Sequence, residues 1–73
     1  MPRLSREVED WRRFEPAERR ALIKIVRERL KLTQEEAAEV AGISKSHLEK
    51  MERGAANIIR KTFIKLMGAY YDL

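Results

Sequence analysis

The sequence predicts an all-α fold, a compact bundle of about five helices. Apolar residues recur at spacings of three and four along the whole chain. Val, Ile and Thr never alternate with polar residues over the length of a strand. Pro2 and Pro16 lie early and Gly42, Gly54 and Gly68 late, where they act as punctuation.

The first helix is expected over about Ser5 to Phe14. Ser5 can cap it, and Leu4, Val8, Trp11 and Phe14 form a stripe at steps of four, three and three. Glu15-Pro16 ends it, because the residue before proline is pushed out of the α region. This segment, residues 1–15, reads as an N-terminal extension with two possible uses. It folds back onto the domain, or it presents Leu4, Val8, Trp11 and Phe14 as a dimer or partner interface.

The second helix starts at Pro16, favourable at a first helical position, and runs to about Leu30. Ile23, Val26 and Leu30 form one stripe, and Leu22 and Ile25 widen it beyond one packing face. The Trp11/Phe14 stripe is the expected cover for the extra width.

The third helix has the sharpest start. Thr33-Gln34-Glu35-Glu36 is a capping box, in which Thr33 accepts from the backbone of Glu36 and Glu36 reaches back. Ala37, Ala38 and Ala41 share a face and permit close approach by another helix. Gly42 ends this helix, since a left-handed residue there costs glycine little. Ser44 caps the fourth helix, Lys45 to Arg53, which Gly54 stops. Two short helices joined by a glycine-containing turn over residues 33–53 have the helix-turn-helix layout. The last helix runs from about Asn57 or Ile58 to Tyr70, burying Ile58 or Ile59 with Phe63, Leu66, Met67 and Tyr70.

At about 100° per residue, Leu48, Met51 and Glu52 fall on one side of the fourth helix. Lys45, Ser46, Glu49, Lys50 and Arg53 occupy the opposite arc. Lys can donate to guanine O6 and N7, Glu can accept from cytosine N4, and Ser suits either. The same arc also fits an ordinary solvated face. Glu52 is out of place among apolar positions, because a buried carboxylate is costly unless paired. Arg27, near the end of the second helix, is the expected partner, through a bidentate bridge.

Composition narrows the function. The 73 residues allow one domain, taken as residues 16–73 behind the extension, with 16 Lys/Arg against 12 Asp/Glu for a net charge of +4. There is no cysteine, and the single histidine, His47, cannot build a metal cluster, so no metal and no cofactor is expected. Gly42 and Gly54 are accounted for as helix stops, leaving no phosphate loop, and the acidic residues suit helix starts and solvent. An enzyme is not expected. A small, soluble, basic, intracellular module is.

The run Leu32-Thr33-Gln34-Glu35-Glu36-Ala37-Ala38, on through Ala41-Gly42-Ile43-Ser44 to Leu48, Met51, Glu52 and Gly54, resembles the Xre/Cro family of phage-repressor-like helix-turn-helix domains. The likeness extends upstream to Arg27 and downstream over Thr62-Phe63-Ile64-Lys65-Leu66-Met67. It implies a lambda-repressor-like fold and sequence-specific binding to double-stranded DNA, most often as a repressing homodimer on a near-palindromic operator. By position it implies base contacts from Ser44, Lys45, Ser46, Glu49 and Lys50. Gln34, Arg53, Asn57, Arg60 and Lys61 would approach phosphates, Gln34 also bracing the recognition helix. His47, at the margin of the arc, is either a further phosphate contact or a plain surface residue. The family's Arg–Glu bridge falls on Arg27 and Glu52. Ala37 and Ala41 stand where the family often has Leu, and Ile58-Ile59 replaces its common Pro-Ser, which moves the last cap to Asn57. Many members begin a fifth helix near Tyr70, so the N-terminal helix is expected to replace that C-terminal one. The other class of function in view is an antitoxin-like module, whose Trp11/Phe14 helix binds a toxin or another regulator.

Overall fold

Five helices follow in chain order: α1 (Arg6–Arg13), α2 (Pro16–Arg29), α3 (Gln34–Ala41), α4 (Lys45–Arg53) and α5 (Arg60–Tyr71). They are seen in a computed structural model that describes residues 5–73; Leu4 of the expected N-terminal stripe lies outside them. Among the described residues there is no strand, and no helix is long and apolar enough to cross a membrane.

Local chemistry sets most of the boundaries. The Glu36 N–H donates to Thr33 Oγ1 at 3.1 Å and the Thr33 N–H to Glu36 Oε1 at 2.9 Å, closing the capping box. The backbone bond, then the hydroxyl, hold the Glu36 carboxyl below its ordinary range. Gly42 (φ +70°) and Gly54 (φ +84°) end α3 and α4 in the left-handed region. Between them the His47 N–H donates to Ser44 Oγ at 3.0 Å.

Two caps differ from expectation. Ser5 holds the N-cap position of α1, yet its hydroxyl makes no cap bond. The last helix begins at Arg60 behind Ile59, not at Asn57. The Ala55 and Ala56 N–H groups both donate to the Lys50 carbonyl, at 2.8 and 3.2 Å, and carry the chain out of α4 as a loop. Ile58 then turns towards the core, and Ile59 stays extended (ψ 154°) and 59% exposed.

The α2–α3 turn is closed by Lys31 at φ +59°. The Leu32 N–H donates to Arg27 O at 3.1 Å and the Lys31 N–H to Glu28 O at 3.0 Å, a closure that normally favours glycine at the left-handed residue. Lys31→Gly is therefore expected to raise stability by about 1 kcal/mol. For a domain of this size that is about 5 °C in Tm, read by thermal melting; a lower Tm would refute it.

The core consists of Ile23, Ala37, Ala38, Ala41, Leu48, Met51, Phe63, Leu66, Met67 and Tyr70. α5 lies at its centre, packed on α1, α2 and α3, while α4 packs on α2 and α3. Alanines on the inner face of α3 let it lie close to both neighbours. Ile25, 47% exposed, and Leu30 do not join the core. Of the two residues that widen the α2 stripe, Leu22 is half-buried against the core and Ile25 stays exposed, while α1 lies along α5. Trp11 packs on Phe63 with ring centroids 5.6 Å apart, and the Tyr71 hydroxyl donates to Asp10 Oδ2. The Arg6 guanidinium lies 4.6 Å over the Tyr71 ring. Burial first, then the Asp10 bond, push the Tyr71 phenol up to about 12. From α2 the Arg19 guanidinium stacks 3.7 Å above Trp11 and donates to its carbonyl. Of the two uses open to the N-terminal helix, the fold-back is the one Trp11 takes; Val8 and Phe14 are half-buried.

Candidate nucleic-acid interface

The site is built around α4. Ser44 and Gly54 fix its ends, and Leu48 and Met51, with no exposed surface, fix its inner side. Glu52, the misplaced carboxylate, is held as the sequence suggests. Arg27 Nε donates to Oε2 at 2.7 Å and Nη2 to Oε1 at 2.9 Å, with the side chains only 12% and 4% exposed. The remaining guanidinium nitrogen, Nη1, donates to Leu32 O at 2.9 Å and secures the α2–α3 turn to the same group. The bond to Glu52 raises the Arg27 pKa further above its ordinary value. Gln34 Nε2 also donates to Glu52 Oε1, at 3.1 Å. Three helices therefore meet at one carboxylate: α2 through Arg27, α3 through Gln34, and α4, which carries it. Tyr70 of α5 is buried nearby, and its phenol is pushed up by burial and then by the Glu52 charge.

With its inner side pinned, α4 turns a polar flank to solvent. Ser44, Lys45, Ser46, His47, Glu49, Lys50 and Arg53 are all exposed. The five residues expected to face bases thus lie accessible on or beside one short, capped helix. Gln34 is half-buried and engaged with Glu52, which is the bracing role expected of it. Asn57 is exposed in the loop after α4, lining a shallow cleft of about 250 Å³ with Arg20, Gly54 and Ile58. Arg60 and Lys61 are exposed in the first turn of α5. The helix dipole disfavours cations at that end, so helix stability does not explain them.

Lys24 lies beside this site without a motif that singles it out. It lines an open cleft of about 440 Å³ with Arg27, Gln34, Glu49, Glu52 and Arg53. Its signal was its place one turn before Arg27 on the same strip of α2, which the Arg27–Glu52 bridge draws against α4.

No curated protein and no solved structure matches the chain. A family model described as a helix-turn-helix domain matches residues 20–73, most of the chain, from within α2 to the end of α5. The match takes in the capped α3–α4 pair and its Arg27–Glu52 bridge and leaves α1 outside, and on it this protein belongs to the DNA-binding helix-turn-helix domain family.

Proposed function

We propose that this protein is a sequence-specific, double-stranded-DNA-binding transcriptional regulator, a repressor, that acts in the cytoplasm as a homodimer on a near-palindromic operator. The observation that carries the reading is the division of α4. Its inner side is held by Leu48, Met51 and the Arg27–Glu52 bridge, and its capped N-terminal end offers Lys45, Ser46, Glu49 and Lys50 to solvent. A helix so mounted can enter the major groove end-first and present its first turns to base edges. Arg53, Asn57, Arg60 and Lys61 supply the cations and the amide for backbone contacts on the flanks, with His47 beside them. No catalytic step is assigned.

Trp11, the natural anchor for a protein partner, is packed between Phe63 and Arg19. The regulator reading is therefore preferred to an antitoxin-like one. Selection from a randomised duplex pool with the purified full chain tests it. Enrichment of inverted half-sites about one helical turn, roughly 34 Å, apart supports the proposal; a pool that never departs from its starting composition overturns it.

Two substitutions then separate the roles on the selected duplex. Lys50→Ala is expected to lose discrimination at one base pair, by about 1–3 kcal/mol. Arg53→Ala is expected to weaken selected and scrambled duplexes alike and to flatten the salt dependence. Competition binding at several salt concentrations checks both, and the reverse pattern would exchange the two assignments.

A further inference from the structure

We propose that Lys24 of α2 and Arg53 of α4 together hold one backbone phosphodiester of the duplex in the cleft between the two helices, so that the footprint extends beyond the helix-turn-helix pair. The inference rests on the DNA-binding reading above. Three helices line the cleft. Its floor carries no net charge, because Arg27 and Glu52 are spent on one another and Gln34 donates to the same carboxylate. Above that floor stand Lys24 and Arg53, both exposed and, among the described residues, in no ion pair. Glu49 is the opposing charge at the rim.

This arrangement selects the kind of anion. Two exposed cations flanking an open, polar cleft attract a phosphate oxygen. The Glu49 carboxylate disfavours a free dianionic phosphate more than a diester, which carries a single charge. The diester also arrives held by its neighbours along the strand, which the cleft alone would not supply to a small ion. The seat has a mechanical consequence. Lys24 and Arg53 belong to different helices, which the Arg27–Glu52 bridge ties together in the same cleft. The bridge that orients α4 then also joins the two sides of the cleft that receives the backbone, which ties groove entry to strand register.

The test uses the full chain and the duplex enriched by selection, with affinity measured across a series of salt concentrations. Lys24→Gln is expected to leave the melting curve unchanged, since the side chain is exposed. It should lower affinity by the same factor on selected and scrambled duplexes and reduce the log–log salt slope. The pair Lys24→Gln/Arg53→Gln should reduce that slope by about 0.9, the value of one phosphate, whereas two separate contacts would remove about 1.8. Arg29→Gln, which removes one positive charge from a different face of α2, should leave the slope as it is. Inorganic phosphate should compete no better than chloride at matched ionic strength.

An unchanged affinity of Lys24→Gln for both duplexes, with wild-type binding intact, overturns the seat and spares the regulator reading. A loss near 1.8 for the pair, or an effect of Arg29→Gln equal to that of Lys24→Gln, overturns the shared phosphate. Specific displacement by inorganic phosphate overturns the diester. A wild-type chain that binds no duplex overturns both readings together.

Discussion

Glu52→Ala is expected to cost about 3–5 kcal/mol of folding stability, because it leaves the Arg27 guanidinium buried without its counter-charge. Arg27 Nη1 keeps Leu32 O, but Nε and Nη2 lose both acceptors at a site only 12% exposed. Gln34 Nε2 loses its acceptor as well. Small domains hold about 5–15 kcal/mol in total, so this single change removes a large share. Chemical denaturation reads it directly. A loss below about 1 kcal/mol would mean that the pair behaves like a surface ion pair and that the inner side of α4 is held by Leu48 and Met51 alone. The double variant Arg27→Met/Glu52→Leu separates stability from function. Replacing a buried pair by apolar residues of similar volume is often neutral, so most of the stability should return. Duplex affinity should not return with it, since the bidentate bond that fixes the angle of α4 against α2 is gone.

How much of this was legible in the sequence follows from how local each feature is. The start of α3 depends on Thr33 and Glu36, three residues apart, and its stop on Gly42. Ser44 and Gly54 bound α4 in the same way. These caps need no knowledge of the rest of the chain. The Arg27–Glu52 bridge spans 25 residues and was still legible, because a carboxylate on an apolar helix face demands a cation and few were placed to supply it. The turn at Lys31 was hidden, since the residue that takes the left-handed conformation there is not a glycine. The start of α5 was misplaced because Asn57 is a good cap in isolation. What decided the boundary was Ile58 reaching the core and the Lys50 carbonyl collecting two loop N–H groups. The cleft at Lys24 follows from its spacing to Arg27 only once the Arg27–Glu52 bridge is drawn, and the stacking of Arg19 on Trp11 depends on how whole helices lie against one another, which no spacing along the chain reports.

The same limit applies to α1, and a substitution there has the second large effect. An amphipathic stripe states that a face is buried without stating against what. Here the answer is α5 of the same chain, through Trp11 on Phe63 and Tyr71 on Asp10. Trp11→Ala is accordingly expected to destabilise the fold by about 3 kcal/mol, the lower end of the range for a large aromatic because Trp11 is half-buried. Part of that loss is the tilted ring contact with Phe63, worth about 0.5–1.5 kcal/mol beyond area. Another part is the Arg19 stacking, worth about 1 kcal/mol. Equilibrium denaturation measures the total, and sedimentation of the variant in native buffer gives the control. If α1 serves to complete the core, the association state stays that of the wild type and the folded fraction keeps its affinity for duplex, since α4 and its bridge are untouched. If Trp11 instead anchors a second chain, the association state changes while the unfolding midpoint of the monomer barely moves. The 5.6 Å contact between Trp11 and Phe63, a ring with no exposed surface at the centre of α5, favours the first outcome.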